Sequence, residues 1–184
     1  MEFISLKIQG AFRINMNVLR DHRGFFMRTY DQDELKQHGL VTEWVQESHS
    51  FSATKGTVRG LHFQRPPHAE TKLVRAAQGS ILMVLLDLRE TSLTFGSWDT
   101  VTLSIEKPEL LYVPKGIAMG MCTLTDNCSL LYKMDTAYEP KSARTVRWND
   151  PALAIPWPVN DPLLSDKDKT APLLKDFLAL EGAL

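Results

Sequence analysis

The sequence predicts an all-β protein, an antiparallel sandwich or barrel with short peripheral helices. Three observations lead there. Between Thr42 and about Arg147, apolar stretches of strand length follow one another, each bounded by turn residues such as Gly, Pro, Asn or Asp. No helical pattern alternates with them, which removes the parallel α/β folds. The run Ser80–Leu88 (SILMVLLDL) is apolar almost throughout, as in a strand covered on both faces.

The elements follow in order. Phe3–Ile8 and Phe12–Leu19 read as short strands. Asp21-His22-Arg23-Gly24 reads as a turn, after which Phe25–Tyr30 is extended. Asp31 is placed to cap a short helix, with Glu34 three residues on, and Gly39 ends it. Val45–Ser52 alternates loosely. Lys72–Gln78 and Ser80–Leu88 are strands separated by Gly79; Trp98–Ser104, Leu110–Val113 and Cys128–Met134 follow. Pro114–Gly120 reads as a hairpin. Beyond Arg147 the chain turns rigid and irregular around Asp150-Pro151 and Pro156-Trp157-Pro158. Ser165–Asp168 starts a helical turn, and Ala171–Leu180 is a closing helix. No repeat, low-complexity tract or linker interrupts this pattern, so 1–184 is read as a single domain.

Composition narrows the function. At 43% hydrophobic and 23% charged, the chain can build a core and is not disordered. A net charge of −1 with scattered Lys and Arg gives no electrostatic case for nucleic acid or a membrane surface. No apolar run nears the ~18 residues of a membrane span, and the N-terminus lacks the pattern of a secretion signal. The expectation is a cytoplasmic protein. Cys122 and Cys128 lack metal-site spacing and read as inert thiols. The histidines His22, His38, His49, His62 and His68 do not fall into ligand spacing, and position 64, where a His-x-His pair would need its second member, is Gln64. No metal site is expected.

Chemistry concentrates in residues 57–89, where Arg59, His62, Gln64 and Lys72 sit in and around apolar strands. A neutral imidazole takes a proton near pH 7, and neighbouring cations hold an anion. If the side chains converge, they can remove a proton from carbon beside a carbonyl and stabilise the enolate. Cations disfavour a proton on a nearby imidazole, so a base at His62 needs an acidic partner from elsewhere. A strand histidine with no such neighbours is usually a hydrogen-bonded core residue. Tyr132 alone reads as a core aromatic with a tethered hydroxyl, and Asp168 alone as a solvated helix-start carboxylate. Arg23, Arg59 or Lys72 can meet a phosphate, although no Gly-rich loop is present.

Nine ordered blocks carry a resemblance: DHRGFF (21–26), VQESHSFS (45–52), GTVRGLHFQ (56–64), HAETKLVRAAQGSI (68–81), DLRETSLTFGSW (87–98), LYVPKGIAMG (111–120), YKMDTAYEP (132–140), RWNDPALAIPWP (147–158) and LSDKD (164–168). Over about residues 3–172 the chain resembles the dTDP-4-dehydrorhamnose 3,5-epimerase family. The resemblance implies a cupin-like antiparallel β-barrel, or jelly roll, that forms a homodimer and works without a cofactor. It implies inversion at the carbons flanking the C4 ketone of a nucleotide-linked 4-keto-6-deoxyhexose. His62 becomes the base, Asp168 the carboxylate that orients it, Tyr132 the acid on the opposite face, and Lys72 the cation at the C4 enolate. Arg59 and Gln46 would contact the diphosphate-sugar, and Arg23 would reach the nucleotide from the other subunit. Phe26 and Tyr138 join the substrate-binding set.

Four positions depart from the rhamnose-pathway pattern. Arg28 and Ala143 each stand where those enzymes carry Glu, Ser48 where they carry Asn, and Met119 where they carry His. Arg28, Ser48 and Ala143 bear on the nucleotide and open CDP- or GDP-linked sugars as alternatives to dTDP. Met119 lies nearer the sugar and predicts an epimerase restricted to one carbon, C5 ahead of C3, with a sugar lacking a hydroxyl as the alternative. A non-catalytic sugar-nucleotide binding barrel is the rival from another class; it has no need of an acid–base pair.

Overall fold

The computed structural model describes residues 1–184, Leu180 by its backbone alone. In chain order the strands are β1 (Glu2–Ser5), β2 (Phe12–Asn15), β3 (Val18–Asp21), β4 (Gly24–Met27), β5 (Gln46–Ser52), β6 (Val58–Gln64), β7 (Lys72–Gln78), β8 (Ser80–Asp87), β9 (Trp98–Ser104), β10 (Glu109–Val113), β11 (Ile117–Thr123), β12 (Cys128–Met134) and β13 (Ala143–Thr145). Helix α1 (Gln32–Gln37) precedes β5; α2 (Asp166–Lys169) and α3 (Leu174–Glu181) follow β13. A six-stranded sheet runs β1-β2-β10-β7-β12-β5 and a five-stranded sheet β13-β6-β11-β8-β9. All pairings within them are antiparallel. This is the predicted cupin-like antiparallel barrel, flattened into two layers.

Strand alternation sorts the apolar residues into three cores. Val74, Ala76, Leu111, Val113 and Leu130 from the first sheet meet Ile81, Met83, Leu85, Val101 and Met121 from the second, filling the space between the layers. On the outer face of the five-stranded sheet, Leu61, Phe63, Val84 and Leu86 pack beneath Phe177 of α3. Strand β8 therefore feeds two cores, which is why its sequence is apolar without alternation. Outside the six-stranded sheet, Ile14, Leu73, Leu110 and Tyr112 are covered by Leu35 of α1 and by Tyr30 and Trp44. Each fully buried aliphatic side chain contributes about 1.5–3 kcal/mol. The Asp31 side chain accepts from the N–H groups of Asp33 and Glu34, the predicted N-cap.

The expected boundaries shift where pairing partners run out. Phe12–Leu19 is two elements, because β2 ends at Asn15 opposite Glu2 and Glu109. Val18 then begins a ribbon in which β3 pairs only with β4. The expected strand Phe3–Ile8 stops at Ser5, where Leu6 N–H donates to the Ala11 carbonyl and closes a turn. The hairpin expected at Pro114–Gly120 turns only at its start; from Ile117 the chain is a central strand paired to both β6 and β8. Strand β13 was not anticipated, and the closing helix begins at Leu174 rather than Ala171, since the Pro172 carbonyl is engaged by Arg147 N–H. Both cysteines are free and buried; burial first, then Cys128, pushes the Cys122 thiol up to about 11. No helix among the described residues is long and apolar enough to cross a membrane.

Candidate active site

A cavity of about 570 Å3 opens between the two sheets. The six-stranded sheet lines it with Gln46, Ser48 and Ser50 of β5, Lys72 of β7, and Leu130, Tyr132 and Met134 of β12. The five-stranded sheet faces them with Arg59, His62 and Gln64 of β6 and Met119 and Met121 of β11. Period-two alternation accounts for most of these sets. Strand β6 departs from it, since Arg59 and His62 are three residues apart yet share a face.

A bulge resolves the parity. Met119 pairs with His62 and Met121 with Arg59, so β6 spends one residue more than β11 over this stretch. The extra residue falls at Gly60, whose φ is +109°. A Cβ there would lie 2.6 Å from the Met119 carbonyl oxygen and 2.8 Å from Gly120 Cα, so only glycine fits. The bulge turns Arg59 into the cavity beside His62, while Leu61 and Phe63 stay in the core under α3.

His62 Nε2 lies 2.6 Å from Asp168 Oδ1. Asp168 sits in α2, whose N-cap Ser165 accepts Asp168 N–H at 3.2 Å and donates its hydroxyl to Asp168 Oδ2 at 2.9 Å. The carboxylate is 2% exposed. Burial alone would raise its pKa. The hydrogen bond and charge of His62, with further hydrogen bonds from Ser165 and the Gly60 N–H, outweigh that and hold it below the usual carboxylate range. An ionised carboxylate only accepts, so the proton of the neutral ring sits on Nε2 and the Nδ1 lone pair is free.

The other wall is built differently. Lys72 has a side chain 8% exposed, with Nζ 2.8 Å from Glu70 Oε1. Tyr132 comes from the sheet opposite His62. Arg59 is tied across to β5, Nε donating to Ser52 Oγ at 3.2 Å and Nη2 to the Phe51 carbonyl at 3.2 Å. Gln46 Oε1 accepts the Tyr138 N–H at 2.8 Å. Arg144 and Lys167 add positive charge to the lining. A cavity with a free imidazole nitrogen on one wall and a phenol and an ammonium on the other can remove a proton from carbon, hold an oxyanion and return a proton from the far side. Among the described residues no three His, Cys, Asp or Glu side chains gather as a metal-ligand set.

The dTDP-4-dehydrorhamnose 3,5-epimerase family model matches residues 5–176. The enzyme of that name from Salmonella typhimurium strain LT2 is 41% identical over 183 residues, covering 98% of this chain and 100% of its own. The chain belongs to the dTDP-4-dehydrorhamnose 3,5-epimerase family. The crystal structure of the Bacillus anthracis enzyme of that name, with TDP and PPi bound, superposes with a TM-score of 0.92 at 43% identity, covering 94% of this chain and 99% of that one. A dTDP-6-deoxy-D-glucose-3,5-epimerase from Legionella pneumophila, in complex with dTDP-4-keto-L-rhamnose, has a TM-score of 0.89 at 35% identity, covering 95% and 93%. The family is one of epimerases, a class of isomerase.

Within the chain the fold gathers most of the expected residues and leaves three apart. His62, Tyr132, Lys72, Gln46, Ser48, Arg59, Met119 and Tyr138 line the cavity, and Asp168 stands behind His62. Arg23, Phe26 and Arg28 do not reach it: they lie on or beside the β3–β4 ribbon, with Arg23 paired to Asp21 and Arg28 to Asp31. Of the departing positions, Ser48, Ala143 and Met119 are in the lining and Arg28 is outside it. Sequence reasoning missed Glu70, Arg144 and Lys167. Lys167 adjoins Asp168 and Glu70 lies two residues from Lys72; each was readable only as surface charge.

Proposed function

We propose that this chain is an epimerase of a dTDP-linked 4-keto-6-deoxyhexose, acting at the carbons flanking the C4 ketone. One observation carries the proposal: the Asp168-bound imidazole of His62 faces a cavity whose opposite sheet supplies Tyr132 and Lys72. His62 Nδ1 takes the proton from the carbon next to C4, and the C–H electron pair moves into the enolate. Lys72, its side chain 8% exposed, holds the developing C4 oxyanion. Tyr132 returns a proton to the opposite face, which inverts the centre. Asp168 keeps the imidazole oriented and stabilises its charged form. Arg59 and Gln46 hold the diphosphate-sugar, and the dTDP named for the relatives favours that nucleotide over CDP and GDP. No step calls for a cofactor.

The working unit in this reading is a cytoplasmic homodimer of single-domain chains. Two features support the dimer. Among the described residues the β3–β4 ribbon pairs with no other strand, and β5 ends its sheet with an open edge that carries exposed Phe51 and follows exposed Val45. A partner's ribbon would bring Arg23, Phe26 and Arg28 toward the nucleotide end of the cavity.

A second reading has a specific support. Met119 pairs in register with His62 and its thioether offers no proton donor to the sugar, which favours inversion at one carbon, C5. Incubation in D2O with dTDP-, UDP-, CDP- and GDP-linked 4-keto-6-deoxyglucose, followed by NMR, separates the cases. Deuterium at C3 and C5 of the dTDP sugar is the expected result, and deuterium at C5 alone selects the second reading. Binding without exchange would make the chain a sugar-nucleotide binding protein and sink both.

A further inference from the structure

Lys72 does not stand alone in the cavity wall. Its Nζ lies 2.8 Å from Glu70 Oε1, and the two side chains are only 8% and 10% exposed. The second carboxylate oxygen of Glu70 accepts from Gln64 Nε2 at 3.2 Å. Gln64 is itself fixed: Nε2 also reaches the carbonyls of His68 at 2.9 Å and Ala137 at 3.2 Å, and Oε1 accepts Glu139 N–H at 2.6 Å. It is 2% exposed, and all three side chains line the cavity. Gln64 thus ties β6 to the segments before β7 and after β12 and presents Glu70 in one orientation.

Such bracing answers a physical difficulty. A lysine side chain is flexible and loses rotamer freedom when it is held, and a buried ammonium without a countercharge is costly. A cation meant to meet an oxyanion must be both still and tolerated before the oxyanion forms.

We propose that Glu70, braced by Gln64, is a positioning residue for Lys72. It pins the ammonium against the cavity wall and supplies the countercharge that lets it reside there. The proposal rests on reading Lys72 as the group that meets the C4 oxygen. That oxygen is common to proton removal at either neighbouring carbon, so losing Glu70 slows exchange at C3 and C5 alike.

Glu70→Gln tests this, because glutamine keeps the size and an acceptor oxygen for Lys72 while removing the charge. Exchange in D2O at every carbon the wild type exchanges falls by about 10- to 100-fold, as loss of an outer-shell partner does elsewhere, with KM changed by less than about twofold. Unchanged exchange, or loss at one of two carbons, overturns the role. A wild type that exchanges neither carbon defeats the functional reading instead. The brace is then judged by 15N NMR of the lysine ammonium groups. The wild type shows one slowly exchanging ammonium signal, which Lys72→Met removes and thereby assigns. Its loss in Glu70→Gln supports the brace; its persistence there, or its absence from the wild type, overturns it.

Discussion

An imidazole serves as a base when one nitrogen is held and the other is open. His62 meets both conditions, because Asp168 takes Nε2 at 2.6 Å and the cavity receives the rest of the ring. In the proposed mechanism removing the ring removes the base, so His62→Ala abolishes solvent exchange at the sugar carbons. Tyr132→Phe deletes only the proposed acid on the far face. Inversion falls by about 10²–10⁴-fold while exchange of the proton handled by His62 persists. Full inversion by Tyr132→Phe would end the acid assignment. The residue pattern around His62 called for a carboxylate but could not select one, since the partner lies 106 positions away. Glu70 was hidden for the opposite reason: a Glu two residues from a Lys is commonplace on surfaces, and only burial distinguishes this pair.

The glycine bulge in β6 sets the geometry of the site at the level of the element. Without it, Arg59 and His62 would face opposite sides of the sheet, and either the cation or the base would leave the cavity. Gly60→Ala places a methyl group 2.6 Å from the Met119 carbonyl oxygen at a φ that L residues avoid. The expected cost is about 2 kcal/mol or more, read as a lowered denaturation midpoint, and exchange activity falls with it. A variant as stable and active as the wild type would show that the bulge is dispensable. Strands β7, β9 and β12 were legible to the residue, because turn residues bracket them. Strand β11 was not, since after Ile117 its residues are small or sulfur-containing on both faces and buried on each. The bulge was equally unreadable, because a glycine in a strand marks an irregularity without giving its direction.

At the scale of the molecule, the unpaired β3–β4 ribbon bears on how many chains make one site. If Arg23 serves the neighbouring cavity, Arg23→Ala and His62→Ala damage different halves of a shared centre. Each variant alone is impaired. Refolded together in equal amounts they recover roughly a quarter of wild-type activity, since half the dimers are mixed and each mixed dimer holds one intact site. No recovery, or an Arg23→Ala chain as active as wild type, would place the ribbon's role elsewhere. The strand order also has a consequence in time. His62 needs β13 beside it through Thr145 and Asp168 beneath it, both from the last third of the chain. At ribosomal rates of ~5–20 residues per second, the 106 positions between His62 and Asp168 take roughly 5–20 s to synthesise. Throughout that interval a nascent chain carries a histidine that has no carboxylate to orient it, so the proposed base is set only once the segment bearing Asp168 docks.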